Sequence, residues 1–270
     1  MRTLFIGDIM GRSGRDALIH FLPKAKEKYK PDVIIVNGEN AAHGAGINVK
    51  ICETFYEAGV DVITTGNHVW DQREIIPYIA RQEKILRPLN LPQGTPGRGI
   101  CEHQLDDGRK IVVINMMTRL FMELSDDPFA VINTVLKNTH LGKTANMIFI
   151  DLHGEATSEK MAFGHYVDGK VSAVIGTHTH VPTADCRIMP GGTAYQTDAG
   201  MTGSYESVIG VKKDIALGRF LKKVPGEKMS PDDGEATVCG TFIETDDRSG
   251  LALSISPVRY GGVLQSNFEV

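Results

Sequence analysis

Short apolar runs alternate with amphipathic stretches along the N-terminal part of the chain. The runs RTLFIG, DVIIV and VDVIT are rich in β-branched residues, which is typical of strands. Between them lie two stretches with helical spacing, RDALIHFLPKAKEKY and a second one that begins at Asn48. Asn48 suits an N-cap and Gly59 the position after a helix, whereas Pro23 predicts a break or a kink in the first helix. The pattern predicts a βαβαβ unit.

The rest of the chain continues this alternation and adds antiparallel pairs. The runs ICEHQL and KIVVINM are joined by Asp107 and Gly108, which predicts two antiparallel strands and a turn. A helix is expected after Asp127 and Pro128. The elements expected next are the strand NMIFID, the helix SEKMAFGHYV, the strand VSAVIG, and a hairpin of EATVCGTFIETD and GLALSISPV around DDRSG.

The order of these elements favours two packed sheets covered by helices on their outer faces. Mixed parallel and antiparallel strands are the reason for this preference, and a plain doubly wound sheet is the alternative. No internal repeat, low-complexity tract or Pro/Gly/Ser-rich linker divides the 270 residues. We therefore expect a single domain that spans residues 1–270.

Composition narrows the classes of function. Apolar residues make up 41% of the chain, and the net charge of −4 provides no basic field to hold long nucleic acid. The four cysteines lack the close spacing of zinc or redox motifs and indicate reduced thiols. Asp8 interrupts LFIGDIM before it reaches export-signal length, and no segment approaches the roughly 20 apolar residues of a membrane span. We expect a soluble, cytoplasmic protein without membrane attachment.

Potential metal ligands follow the predicted strands. In open α/β folds ligands bind beyond the carboxyl ends of strands, so the residues at these positions carry the information on function. Each has a structural explanation when taken alone, as a helix cap, a turn residue or a loop histidine. Together they offer the oxygen and imidazole ligands that suit zinc, manganese or iron, and they predict a dinuclear metal site. They are Asp8, Glu39, Asn40, Asn67 with its neighbour His68, His153, His178 and His180.

The last two of these residues stand two apart in GTHTHVPTAD, where the run VSAVIG ends. Successive side chains of a strand point to opposite faces, so residues i and i+2 project together. We therefore expect the imidazoles of His178 and His180 to face the same cleft.

Five segments together resemble the calcineurin-like metallophosphoesterases, and most closely their YmdB-type bacterial branch. The segments are GDIMGRSGR, NGENAAHGAG, TGNHVWD, DLHGEATSEK and GTHTHVPTAD, and the resemblance extends from about residue 2 to residue 258. It implies a four-layer αββα sandwich of two mixed β-sheets and a centre of two metal ions. It also implies hydrolysis of phosphodiesters, including cyclic nucleotides such as 2′,3′-cAMP.

The resemblance also assigns ligands. Glu39 would bridge both ions; Asp8, Asn40 and His180 would hold one ion, and Asn67, His153 and His178 the other. The wider superfamily has a histidine two residues after the first aspartate, where this chain has Met10, a poor ligand for a hard metal. Asn40 would substitute for it, as in the YmdB-type branch. We expect iron or manganese, in divalent or trivalent form, with zinc as the alternative.

The expected chemistry is attack by hydroxide on phosphorus. Two adjacent metal ions can bind a phosphoryl oxygen and lower the pKa of a shared water. The leaving alkoxide then needs a proton donor, for which His68, next to Asn67, is the candidate general acid.

Other functions are left open by the residues themselves. One is a phosphomonoesterase, another a metallohydrolase of C–N or ester bonds, and a third a non-catalytic nucleotide-binding regulatory protein. The Asn67–His68 pair favours phosphate ester cleavage over amide hydrolysis, and Glu39 together with His68 argues against a role in binding alone. The expected partner is a small phosphodiester, and homo-oligomer formation is left open.

Overall fold

Two six-stranded mixed sheets form the framework of the computed structural model, which describes residues 1–222 and 226–268. The strands are β1 Arg2–Ile6, β2 Val33–Asn37, β3 Val62–Thr64, β4 Ile100–Gln104, β5 Lys110–Met117, β6 Met147–His153, β7 Ala173–Thr177, β8 Arg187–Ile188, β9 Ala194–Gln196, β10 Gly203–Ser204, β11 Ala236–Thr245 and β12 Ala252–Tyr260. The helices are α1 Gly11–Tyr29, α2 Val49–Glu57, α3 Ile75–Ile79, α4 Pro128–Leu136, α5 Thr157–Val167 and α6 Lys213–Lys222.

Each sheet has a parallel centre. In the first sheet, the order is β10-β11-β1-β2-β3, with β12 paired to β11; β1, β2 and β3 are parallel, and β11 is antiparallel to β1. In the second sheet, the order is β4-β5-β6-β7-β9-β8, and only the edge strands β4 and β8 are antiparallel to their neighbours. The expected βαβαβ unit is therefore confirmed in the first sheet, as is the antiparallel pair β4–β5.

Alternating side chains of the strands divide the core into layers. In β1, Leu4 and Ile6 pack in the cluster that contains α1 and α2, whereas Phe5 packs between the two sheets. The ring of Phe5 lies 5.1 Å from that of Phe149 in β6, measured between centroids. A third apolar cluster covers the outer face of the second sheet with α4 and α5. The layers are thus helix, sheet, sheet and helix, which confirms the αββα sandwich; the doubly wound alternative is wrong.

The predicted helix ends are confirmed. Asn48 accepts a hydrogen bond from the Ile51 N–H at 3.0 Å and caps α2. Gly59 follows that helix with φ of 90°, a conformation that disfavours side chains with a Cβ. The carboxylate of Asp127 accepts from the Phe129 N–H at the start of α4.

The predicted break at Pro23 is wrong. Helix α1 continues through Pro23 to Tyr29 and begins at Gly11, before the expected start. Pro23 itself is exposed, while Leu22 and Ala25 beside it are buried in the core. Burial of the apolar side chains on both sides of the proline stabilises the continuous helix. The burial of each large apolar side chain contributes about 1.5–3 kcal/mol of free energy.

The sequence pattern did not predict several short elements, namely α3, α6, β8, β9 and β10. Their lengths are too small, or their sequences too polar, to show a clear period. None of the helices within residues 1–222 and 226–268 is long and apolar enough to cross a bilayer. The four cysteines are free thiols, in agreement with the sequence.

Candidate metal centre

The predicted ligands converge at the carboxyl ends of parallel strands from both sheets. Asp8 follows β1, Glu39 follows β2 and Asn67 follows β3 in the first sheet. In the second sheet, His153 is the last residue of β6, and His178 directly follows β7. Hydrogen bonds or ion pairs link all seven predicted ligands to one another: Asp8, Glu39, Asn40, Asn67, His153, His178 and His180.

Five of the seven form two overlapping groups of donor atoms. One group comprises Glu39, His153 and His178, and the other comprises Asp8, Glu39 and His180. Within each group, one ligand atom per residue lies within 4.8 Å of the others. Glu39 belongs to both groups, so the geometry agrees with the division between two ions that the resemblance implies.

Nε2 of His153 has an unusual set of neighbours. It lies 3.2 Å from Oε1 of Glu39, 3.0 Å from Oδ1 of Asn67 and 3.1 Å from Nδ1 of His178. The two oxygens are acceptors, and one proton on Nε2 cannot serve all three neighbours. A cation bound among these four atoms could accept a lone pair from each of them, which a single proton cannot do.

The other nitrogen of His153 is fixed by a buried chain of hydrogen bonds. Nδ1 lies 2.9 Å from the hydroxyl oxygen of Thr177, and that hydroxyl donates to Oδ1 of Asp151 at 2.6 Å. Since the hydroxyl proton is directed to the carboxylate, Nδ1–H of His153 donates to Thr177. The lone pair of neutral His153 is then on Nε2, which faces the donor cluster.

His180 is oriented in the same way by the backbone. Its Nδ1 lies 2.7 Å from the carbonyl oxygen of Ile209, which can only accept, so Nδ1 carries the proton. Nε2 lies 3.1 Å from Nδ2 of Asn40 and is free to act as a ligand. Burial lowers the pKa of His180 and keeps the imidazole neutral, as metal binding requires.

The two histidines of GTHTH reach the cluster by an unexpected route. Strand β7 ends at Thr177, and His178 and His180 have φ of 98° and 65°, in the left-handed region. Strand alternation, the reason given from the sequence, is therefore wrong, although both side chains do face the cleft. A turn with two strained residues brings the imidazoles together.

Two further features show that the site suits a cation. Asp8 is fully buried and accepts from the His178 N–H through Oδ2, whereas Oδ1 has no hydrogen-bond partner within the described residues. Burial raises the pKa of Asp8 well above its usual range, which a nearby cation would reverse. At Gly66 a Cβ would lie only 2.2 Å from Oε2 of Glu39 and 2.3 Å from Nε2 of His153, so glycine leaves the space open.

The two asparagines present different atoms to the cluster. Asn67 directs Oδ1, its ligand atom, to His153. Asn40 directs Nδ2 to Oε1 of Glu39 at 3.0 Å and to His180. Rotation of the Asn40 amide by half a turn would place its oxygen where the nitrogen lies.

Charge within the cluster is concentrated on one buried pair. Burial opposes ionisation of Glu39, but His153 outweighs it and lowers the pKa of Glu39. Burial likewise opposes protonation of His153, but Glu39 and Asp8 raise its pKa. Burial and the neighbouring His153 lower the pKa of His178 to about 3. The donor set of carboxylates and imidazoles indicates use of divalent metal.

A cleft of about 740 Å³ opens beside these donors. Glu39, Asn40, His178 and His180 line it, and so does His68, which belongs to neither donor group. Other parts of its wall come from His43 in the glycine-rich loop, from Ile209, Val211 and Arg219, and from residues 228–231. The size suits a small ligand.

Sequence reasoning missed three buried charged residues next to the ligands, namely Asp151, Lys160 and Asp198. Asp151 is a charged residue within an otherwise apolar strand, two residues before His153. Its position in the sequence was one indication of a buried polar role. Lys160 shares the buried face of α5 with Phe163 and Val167, at helical spacing. A lysine in an apolar stripe requires a buried partner, and that requirement was a second signal.

Comparison with known proteins gives a consistent result over almost the whole chain. The model of the family described as YmdB-like protein matches residues 4–258. A 2′,3′-cyclic-nucleotide 2′-phosphodiesterase of Bacillus subtilis (strain 168) is 45% identical over 258 residues, which cover 96% of each chain. A putative phosphatase/phosphodiesterase of Mycoplasma pneumoniae is 35% identical, over 96% of this chain and 92% of the relative.

Solved structures agree with the fold. The crystal structure of a hypothetical protein from Thermus thermophilus superposes with a TM-score of 0.90 and 41% identity, over 97% of this chain and 100% of the other. The crystal structure of a novel phosphatase from Mycoplasma pneumoniae has the same TM-score, 0.90, with 33% identity over 97% and 93% of the two chains.

Proposed function

The chain belongs to the YmdB-like protein family, and from this premise we propose that it hydrolyses 2′,3′-cyclic nucleotides at a dinuclear metal centre. It is a hydrolase of phosphodiester bonds. By analogy with the Bacillus subtilis relative, the bond cleaved is the ester at O2′, which leaves a 3′-monophosphate.

One observation carries the proposal. Two groups of metal-binding donors share Glu39, and their members Glu39, His178 and His180 line a cleft of about 740 Å³. A shared carboxylate is what a pair of closely spaced ions requires, and paired ions are suited to in-line displacement at phosphorus. The cleft is large enough for a nucleotide, and the apolar side chains of Ile209 and Met229 offer a surface for its base.

The proposed centre contains two transition-metal ions, iron or manganese in preference to zinc. Asp8, Asn40 and His180 would hold one ion, Asn67, His153 and His178 the other, and Glu39 both. Three amide or carboxylate side chains besides Glu39 give the site more oxygen ligands than a typical zinc site. When bound, the ions supply Lewis acidity to the phosphoryl group and lower the pKa of a water molecule.

The protein residues contribute orientation and proton transfer. The donors that line the cleft would hold and orient the phosphate. As hydroxide forms a bond to phosphorus, the P–O2′ bond breaks and its electron pair remains on O2′. His68, which lines the cleft and is half-buried, acts in its doubly protonated form: Nε2–H donates the proton that this oxygen takes up, and the ring becomes the neutral imidazole.

We also propose that residues 1–270 function as one domain. The cluster between the sheets contains Phe5 from the first strand and Ile243 from β11, together with Phe149 from the second sheet. Its apolar contacts thus join segments from both ends of the chain.

Product analysis tests the proposed function. The purified protein, loaded with Mn²⁺, is incubated with 2′,3′-cAMP, and the products are separated by chromatography. We expect 3′-AMP to form, and we expect Glu39→Gln to abolish its formation. A wild-type protein that binds 2′,3′-cAMP but leaves it intact would instead be a nucleotide-binding protein, and the proposal would be wrong.

A further inference from the structure

A buried ion pair lies directly behind the GTHTH turn. Nζ of Lys160, in α5, lies 2.9 Å from Oδ2 of Asp198, and both side chains are fully buried. Neither residue lines the cleft or belongs to the two donor groups. The pair therefore takes no direct part in binding of substrate or metal.

The pair is bonded to the backbone on both sides of His178. Lys160 donates to the carbonyl oxygen of Thr177 at 2.7 Å. Oδ2 of Asp198 accepts from the Thr179 N–H at 3.0 Å, and Oδ1 accepts from the Gly200 N–H at 2.9 Å. Residues 177 and 179 flank His178, and Asp198 and Gly200 lie in the segment after β9, so the three hydrogen bonds fix the turn relative to α5 and that segment.

The turn needs such support because its conformation is strained. His178 and His180 have φ of 98° and 65°, and residues with a Cβ rarely adopt these values. Strained residues persist only where the surrounding structure determines their conformation. In a relaxed turn, the imidazoles of His178 and His180 would leave the positions at which they approach Glu39.

We propose that Lys160 and Asp198 are positioning residues, which hold the GTHTH turn so that His178 and His180 meet the two metal ions. This inference rests on the proposed function. The charged form of Asp198 is needed because one carboxylate accepts from two backbone N–H groups and from Lys160. Lys160 balances that charge, so the pair adds no net charge behind the centre.

Metal affinity in a charge-balanced variant tests the proposal. The double variant Lys160→Met/Asp198→Asn keeps the buried volume and leaves no unpaired charge, so the fold is retained. The amide introduced by this change has only one acceptor oxygen, so it cannot accept from both backbone N–H groups, and the turn relaxes. We expect the affinity for Mn²⁺, measured by titration without substrate, to fall about 10- to 100-fold, as for other residues that orient metal ligands.

The control is Lys170→Met, which removes an exposed lysine just beyond α5 and should leave the affinity for Mn²⁺ unchanged. Co²⁺ absorption provides a second readout, because an altered ligand geometry changes the spectrum. A folded double variant with wild-type affinity and an unchanged Co²⁺ spectrum would overturn the inference.

Two further results separate the possible failures. If the double variant does not fold, Asp198→Asn alone carries the same test, since it removes one acceptor and retains Lys160. If the wild-type protein itself binds no Mn²⁺, the proposed function is wrong, and not only the role of the ion pair.

Discussion

Nδ1 of His68 lies 2.8 Å from Oδ2 of Asp71, three residues further along the chain. A carboxylate only accepts, so Nδ1 of His68 carries a proton and Nε2 is the nitrogen that remains for a substrate. The backbone N–H of His68 also donates to Oε2 of Glu39 at 3.3 Å. The imidazole is thus tied to the metal-binding cluster at its backbone and to a carboxylate at its ring.

The first prediction follows from this arrangement. Replacement of His68 by alanine should retain bound metal but slow cleavage by roughly 10²- to 10⁴-fold, the usual contribution of a general acid. Because nitrophenolate needs little protonation to leave, the loss should be much smaller for nitrophenyl esters than for 2′,3′-cAMP. Steady-state kinetics on both substrates would measure this difference, and equal losses would contradict the acid role.

Asp71 provides a control for this prediction. Asp71→Asn should slow cleavage of 2′,3′-cAMP less than His68→Ala does, because the imidazole remains but loses a charged hydrogen-bond partner. The double variant should be no slower than His68→Ala alone, since Asp71 acts through His68. Additive losses would show that Asp71 has another role.

The second prediction concerns metal content. Asp8→Ala or His178→Ala should lower the number of bound ions, because each removes a donor from one group. Glu39→Ala should lower it most, because Glu39 belongs to both groups. Elemental analysis after dialysis measures the content, with His68→Ala as the control that keeps it. If Glu39→Ala retained the full metal content, Glu39 would not be a ligand shared by the two ions.

The strand-end residues could be predicted because their positions follow from two local rules. Apolar runs mark strands, and the carboxyl ends of parallel strands meet at one edge of a sheet. Asp8, Glu39, Asn67 and His153 each follow or end such a run, so the fold brings them together without further information. The order of strands and helices favoured two packed sheets covered by helices, and the resemblance of the motifs implied the four-layer αββα sandwich.

The support behind these residues could not be predicted in the same way. Lys160 and Asp198 are 38 positions apart, and their contact depends on how α5 packs over β7. The left-handed conformations of His178 and His180 could not be predicted from the residue types, because histidine adopts them more often than most residues but still only in a small minority of cases. Part of the cleft wall comes from Ile209, Val211, Arg219 and residues 228–231, which show no regular apolar period, so the sequence pattern did not predict the shape of the cleft.

The third prediction is a pH-dependent loss of stability in Lys160→Met. Burial raises the pKa of Asp198, but Lys160 together with the N–H groups of Gly200 and Thr179 outweighs it, and the net effect in the folded protein is a lowered pKa. The ionised carboxylate therefore stabilises the wild-type protein above the unfolded pKa of about 3.9, and this contribution is lost as the pH falls through the lower folded value.

Without Lys160 the balance shifts, because burial still raises the pKa of Asp198 and only the N–H groups of Gly200 and Thr179 still lower it, so we expect the folded pKa to rise above the unfolded one. We expect Lys160→Met to lose about 3–5 kcal/mol of unfolding free energy at pH 7, and less as the pH falls toward about 4, because Asp198 of the variant then takes up a proton. Urea unfolding of the metal-free protein at several pH values measures this. Lys160→Met/Asp198→Asn is the matched control, since its loss should vary little between pH 7 and the unfolded pKa of Asp198, about 3.9. A constant loss in the single variant over this range would contradict the argument.

The fourth prediction is a preference for phosphodiesters over phosphomonoesters, and it follows from the charge of the proposed centre. Two divalent ions carry four positive charges, and the carboxylates of Asp8 and Glu39 balance two of them. A hydroxide nucleophile balances a third, because the asparagine and histidine ligands bind as neutral groups. One positive charge remains, which a monoanionic diester neutralises and a dianionic monoester exceeds.

We therefore expect higher kcat/KM for bis(nitrophenyl) phosphate than for nitrophenyl phosphate, measured at one pH and one metal loading. Replacement of Mn²⁺ by a trivalent ion at one position should narrow the difference, since it adds one charge. A clear preference for the monoester with divalent ions would contradict the charge argument and identify the protein as a phosphatase.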